Sequence, residues 1–215
     1  MSITDMFVRP CWKPKDTEEL YELVAGNIWA LLVTNGADGP YATNLPLMLD
    51  RSRGPHGVLI GHIARGNDHA RALESADAPS LAIFEGPWSY VTASWYPNRD
   101  MPSTYYYTAV HCCGRLRLQS SAELESSLET LTALMETNLP QGWKVTDIPR
   151  SEITRRLPAI LGFEMEVERI EGKFKLGQDE PTRDALAVAE RLEAAADPSH
   201  RALAGMIRRH NAGRV

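Results

Sequence analysis

Apolar and polar positions alternate with a period of two through the first half of the chain, and a helical period takes over after it. Asp16, Thr17, Glu18 and Glu19 open a helix whose stripe is Leu20, Leu23 and Val24, and Gly26 and Asn27 end it. Trp29 to Thr34 and Tyr41 to Leu49 read as strands joined by the turn sequence Asn35-Gly36-Ala37-Asp38-Gly39. Further strands are predicted at Val58 to Ile63, Ser80 to Phe84, Tyr90 to Ser94 and Thr104 to Leu118, with one short helix from Asn67 to Ser75. Ser120-Ser121-Ala122-Glu123 fits a capping box before Leu124, Leu128, Leu131 and Leu134. Ser151 to Leu161 is helical, with Pro158 kinking or ending it. Phe163, Met165 and Val167 then alternate with Glu164, Glu166 and Glu168 in a half-buried strand running towards Lys175. Pro181 to Ala196 and Pro198 to His210 close the chain as helices, the second capped by Asp197. The pattern predicts an α+β class with an antiparallel barrel core and peripheral helices. With no repeat and no linker, residues 1–215 are expected to form a single domain, with the C-terminal helices starting at about 181.

Composition narrows the function classes. A hydrophobic content of 43% and a charged content of 24% are ordinary for a globular protein. The net charge of −5 argues against nucleic acid, whose binders usually present a basic face. No apolar run reaches the roughly 18 residues of a membrane span, and Met1 to Met6 lacks the regions of a signal peptide. Three cysteines, with Cys112 and Cys113 adjacent, make no disulfide framework, so a cytoplasmic location is expected. Nucleophile elbow, P-loop and Rossmann fingerprints are missing, so a cofactor has to supply the chemistry.

An ordered set of motifs runs through the chain: Met6-Phe7-Val8 with Pro10, Leu31 to Thr34, Asn44-Leu45-Pro46-Leu47, Gly61-His62-Ile63-Ala64-Arg65-Gly66-Asn67, Phe84-Glu85-Gly86-Pro87, Ser94-Trp95-Tyr96, Ala109-Val110-His111, Gly162-Phe163-Glu164 and Gly172 to Gln178. Over residues 6–185 this resembles the PaiB-type family, labelled FMN-binding negative transcriptional regulators. The resemblance implies an FMN-binding split β-barrel related to pyridoxamine-phosphate oxidases, a homodimer with cofactor sites at the subunit interface. Some relatives of this fold bind haem b instead, and in antibiotic pathways they act on N-hydroxyornithine or N-hydroxyarginine. The chain departs from the family pattern at Ser103 (for Pro), Tyr105 (for Trp), Tyr106 (for Asn) and Gly177-Gln178-Asp179 (for Ser-Gln-Asn). These departures fall in motifs that the resemblance places around the cofactor, and they argue against a standard FMN site.

Alternation puts Tyr107, Ala109, His111 and Cys113 on one strand face, which by resemblance borders the cofactor. His62 ends a strand that lines the flavin in the same relatives. Imidazole is a common axial ligand of haem iron, so His62, preferred, and His111 are the metal-ligand candidates; the other is left to pocket acid–base work. Arg65 is an anion clamp for a phosphate or propionate. Asn67 caps the following helix, whose N-terminus also suits an anion. Thr104, Lys173, Lys175 and Gln178 complete a polar rim around cofactor or substrate. Tyr105, Tyr106 and Tyr107 either pack or hydrogen-bond a polar substrate, and Cys113 is a minor thiolate candidate. The leading expectation is a haem-dependent enzyme of specialised (antibiotic) metabolism. It would be an oxidoreductase or N–O-processing enzyme acting on an N-hydroxylated basic amino acid. The alternative is an FMN-binding PaiB-like regulator or a flavin-reductase-like protein.

Overall fold

The computed structural model describes residues 5–74 and 79–214. Six strands and six α-helices alternate along it: α1 (Glu18–Gly26), β1 (Trp29–Gly36), β2 (Gly39–Asp50), β3 (Val58–Ala64), α2 (Asp68–Glu74), β4 (Pro79–Val91), β5 (Thr104–Leu118), α3 (Ser121–Glu136), α4 (Arg150–Arg156), β6 (Ile160–Lys175), α5 (Thr182–Glu193) and α6 (Pro198–Asn211). The strands hydrogen-bond in the order β1-β2-β3-β6-β5-β4 and close into a barrel, so the expected α+β barrel class holds. The β1–β2, β1–β4, β2–β3 and β3–β6 pairs are antiparallel, from the β1–β2 hairpin at Gly36 and Gly39 to the pairing of His62 in β3 with Gly162 in β6. Among the described residues no helix is long and apolar enough to cross a membrane.

The chain groups into two compact units. Unit 1 takes Ile28–Ile83 and Cys112–Ile170, and its core holds Leu32, Leu47, Leu59, Phe163 and Met165, each fully buried. These come from alternate positions of β1, β2, β3 and β6, which is why period two was the legible signal. Unit 2 takes residues 5–27, Phe84–His111 and residues 171–214. Its core holds Tyr96, Tyr106, Phe174 and Leu176, with Val188 and Leu192 from α5 and Leu203 and Ile207 from α6. Asp197 caps α6 by accepting from the Ser199 N–H at 2.8 Å, with Pro198 at the first helical position.

Two boundaries differ from the sequence reading. Ser80–Phe84 and the first residues of Tyr90–Ser94 belong to one strand, because β4 runs unbroken through Gly86 and Pro87 to Val91, while Ser94 lies in the 3₁₀ turn Ala93–Trp95. A Cβ at Gly86 would lie 2.1 Å from Thr108 Oγ1, so glycine there serves close strand packing rather than a turn. The helix expected over 151–161 ends at Arg156, and Pro158 sits in the 3₁₀ turn that follows. Ser75, the expected end of α2, lies outside the described residues.

Candidate functional site

β5 decides which predicted residues share a surface. From Thr104 to Val110 its burial alternates: Tyr106, Thr108 and Val110 turn inward, while Tyr105, Tyr107, Ala109 and His111 face out. Alternation on β6 leaves Lys173 and Lys175 partly exposed on either side of the buried Phe174. In unit 2 these side chains meet the N-terminal segment. The Lys173 ammonium lies over three rings, 5.5 Å from the Phe7 centroid, 4.9 Å from Trp12 and 5.4 Å from Tyr107. Lys175 Nζ lies 5.6 Å from the Trp12 ring and donates to Thr104 Oγ1. Arg9 stands over the same indole at 5.0 Å, but its charge is met by Asp179 at 2.8 Å. No ion pair joins either lysine to a described carboxylate. Two ammonium groups on aromatic faces, next to a hydroxyl, form a donor set for an oxyanion.

Phe7, Arg9, Trp12 and Asp179 were not singled out as site residues from sequence. Trp12 is brought in by the 3₁₀ turn Pro10–Trp12, closed by its N–H to Arg9 O at 2.9 Å. The available signals were the Phe7 and Pro10 motif and the departure at Asp179; neither carries a spacing that links residues so far apart in the chain.

Tyr105, Tyr106 and Tyr107 do not act together. Tyr106 is fully buried and its hydroxyl donates to Glu180 Oε2; burial pushes its phenol well above the ordinary range. Its ring also accounts for another departure. Gly177 has φ +81°, and a Cβ there would come within 2.5 Å of the Tyr106 hydroxyl. Tyrosine at 106 and glycine at 177 are thus one packing change, in the core. Tyr105 faces out and, 53% exposed, contacts Trp88 and Tyr90, with ring centroids 6.2 and 5.5 Å away. Gln178 is nearly buried and closes a turn: its Oε1 accepts from Leu176 N at 2.7 Å and its Nε2 donates to Phe174 O at 2.6 Å. His111 lies on the outward face of β5, partly buried.

Unit 1 carries His62, Arg65 and Asn67. His62 is partly buried, and desolvation holds its imidazole below the ordinary 6.5, so it is neutral at neutral pH. Arg65 pairs with Glu74 at 2.6 Å, both side chains about half exposed. Asn67 caps α2, its Oδ1 accepting from His69 N at 3.0 Å, while its Nδ2 reaches Thr43 Oγ1 at 3.4 Å. Cys113 Sγ takes a hydrogen bond from Arg169 at 3.4 Å, and the Cys112 thiol is pushed up to about 12 by burial. Among the described residues no three His, Cys, Asp or Glu side chains converge as a metal site.

Comparison with known proteins gives the family. The family model described as "Putative FMN-binding domain" matches residues 6–169. The chain belongs to this FMN-binding domain family. It is 28% identical over 202 residues to the Bacillus subtilis "Protease synthase and sporulation protein PAI 2", covering 94% of this chain and 96% of that one. Among solved structures it is similar to the FAD and haem binding protein from Mycobacterium smegmatis, with a TM-score of 0.59 and 18% identity over 82% of this chain and 80% of that one. It is also similar to the flavocytochrome Anf3 from Azotobacter vinelandii, with a TM-score of 0.53 and 14% identity over 77% and 70%. The fold is therefore that of the split-barrel flavin-binding proteins.

Proposed function

We propose that this chain is a flavin-binding redox protein, with FMN as its cofactor, and that it works as a homodimer. The carrying observation is the oxyanion donor set of Lys173, Lys175 and Thr104, backed by Trp12 and Tyr107. A phosphate matches it in charge and in hydrogen-bonding sense. Two of the departures from the family pattern, Tyr106 and Gly177, repack the core together, and a third, Asp179, pairs with Arg9. When bound, FMN supplies one- or two-electron transfer. The chain's own part is to hold the phosphate through the two lysines and to offer the Tyr107 and His111 side chains on the outward face of β5 for proton exchange. The exposed rings of Trp88, Tyr90 and Tyr105 give that face an apolar patch suited to a second copy of the chain.

The haem reading is kept for one reason: His62 is a neutral imidazole, the form that ligates iron. Under it haem b takes the place of FMN, with His111 as the other candidate ligand, and the substrate is an N-hydroxylated basic amino acid processed at its N–O bond.

The test is a pair of titrations. FMN and riboflavin differ only by the phosphate, so Lys173→Ala/Lys175→Ala should weaken FMN binding by about 100-fold, two charge-assisted contacts of roughly 1.5 kcal/mol each, and leave riboflavin unchanged. Equal loss for both ligands, or none, rejects the assignment. A sharp Soret band in the purified protein that His62→Ala removes would move the cofactor to haem.

A further inference from the structure

Unit 1 contains a cavity of about 520 Å³ between α3 and one face of β2, β3 and β6. Its floor is a row across three strands, since Met48 pairs with Ile60 and Ile60 with Glu164. This is the sheet face opposite the core residues Leu47, Leu59 and Met165. A helix over a sheet normally fills such a gap with apolar side chains. α3 does not: of its 16 residues only Leu124 is buried, and Ser126, Ser127 and Thr130 line the space instead.

The charges around the cavity are layered. Arg53 commits two N–H groups to Glu164, at 3.1 and 2.6 Å, and Arg117 commits one at 2.7 Å. The Glu164 side chain is 7% exposed, whereas those of Arg53 and Arg117 are 42% and 50% exposed. The carboxylate lies underneath and the guanidinium edges face solvent. Glu123 is engaged on both oxygens, by Arg117 and by the Ser120 N–H of the capping box. Ser127 Oγ accepts from Gln119 at 2.7 Å, so its own proton points elsewhere. A guanidinium has five N–H donors, so each arginine keeps some uncommitted. The guanidinium N–H groups and serine hydroxyls left over can donate, the buried Gln119 Oε1 is an unpartnered acceptor, and Met48, Ile60 and Ala122 supply an apolar wall.

We infer that this cavity is a binding site for a small aliphatic carboxylate. The anion meets the outer edges of Arg53 and Arg117 and the serine hydroxyls, and the hydrocarbon lies on Met48 and Ile60. The volume is in the range of about 300–1,000 Å³ usual for small-molecule sites. The site is independent of the flavin assignment, because none of its lining residues belongs to the Lys173 cluster.

The test is calorimetric titration of the full chain with 3-methylbutanoate, 4-methyl-2-oxopentanoate and acetate, beside the methyl ester of 3-methylbutanoate and inorganic phosphate. Substituting either arginine would strip Glu164 of a partner and risk the fold. Ser126→Leu is used instead; it fills the cavity from an exposed helix position, and leucine is the better helix former. Saturable binding of at least one branched acid is expected, at least tenfold weaker in Ser126→Leu, with no binding of the ester and unchanged affinity for FMN in the variant. No saturable heat with any of the three acids, equal binding in Ser126→Leu, or equal binding of the ester overturns the inference. Phosphate binding as tightly as the branched acids also overturns it.

Discussion

The indole N–H of Trp12 donates to Asp179 Oδ1 at 3.0 Å, across 167 residues of sequence. The other oxygen of that carboxylate takes Arg9 at 2.8 Å. The family pattern that the chain resembles ends in Asn at this position. An asparagine oxygen would keep the indole bond and lose the ion pair.

Asp179→Asn therefore separates charge from packing. Its side-chain oxygen still accepts from Trp12, while a negative charge leaves a cluster holding Arg9, Lys173 and Lys175. FMN affinity should rise by about three- to tenfold at low salt, and the gain should shrink as salt screens the charges. Stability should change by no more than about 1 kcal/mol, since Arg9 is half exposed. Asp179→Ala, which leaves the Trp12 N–H unpaired, should cost roughly 1–3 kcal/mol by thermal or chemical unfolding.

The barrel was readable because each strand carries its own period. Turn chemistry at Asn35 to Gly39 and the capping box at Ser120 report local geometry, and both appear where expected. The split of the tyrosine run was readable too: alternation sends Tyr106 away from Tyr105 and Tyr107, although the three were grouped by chemistry. Arg9, Trp12 and Asp179 meet only after folding, so no local pattern links them. Glu164 is a similar case. A period of two assigns it to solvent with Glu166 and Glu168, yet it is 5% exposed because two arginines close over it.

Trp88, Tyr90 and Tyr105 are 57%, 49% and 53% exposed, and the Tyr105 ring contacts the other two. If a second copy covers them, light scattering at micromolar concentration should give a dimer mass. The interface should bury at least about 2,000 Å². Tyr105→Ser/Trp88→Ser should shift the mass towards monomer by at least tenfold in dissociation constant, while far-UV circular dichroism stays unchanged. A monomeric wild type removes the homodimer from the proposal.

Acid should destabilise the protein through its histidines. Burial holds His62, His69 and His210 below the ordinary 6.5; for His210 this outweighs the pull of Glu19 at 3.0 Å. The unfolded chain then takes up these protons at higher pH than the folded one. Their contribution to stability is whole above about 6.5 and declines as pH falls below it, towards the lowered folded values. His69 is the sharpest case, 1% exposed, with Nδ1 2.9 Å from Thr43 Oγ1 and Nε2 unpartnered. Calorimetric Tm should be level between about pH 7 and 8 and drop towards pH 5.5. A Tm that rises on acidification over that range contradicts the reading.

Glu180 gives a slope of the opposite sign. It is 8% exposed, and burial holds its carboxyl above the ordinary 4.5 despite the hydrogen bond from Tyr106. A raised folded value means the folded state binds this proton more tightly than the unfolded chain. The stabilisation is fully present below 4.5 and is lost as pH rises through the raised value. At pH 8 the ionised, desolvated carboxylate is a net cost, which Glu180→Gln removes while its amide oxygen still accepts from Tyr106. The variant should be more stable than wild type at pH 8, read as a higher Tm. The difference should close by about pH 4, where the wild-type carboxyl also carries its proton. Tyr106→Phe removes that hydroxyl donor from the buried carboxylate and should cost roughly 1–3 kcal/mol at pH 8. Comparing Tm of the three proteins at both pH values decides it. If Glu180→Gln is the less stable protein at pH 8, attraction to the nearby Lys175 exceeds the cost of burial, and the charge on Glu180 is stabilising.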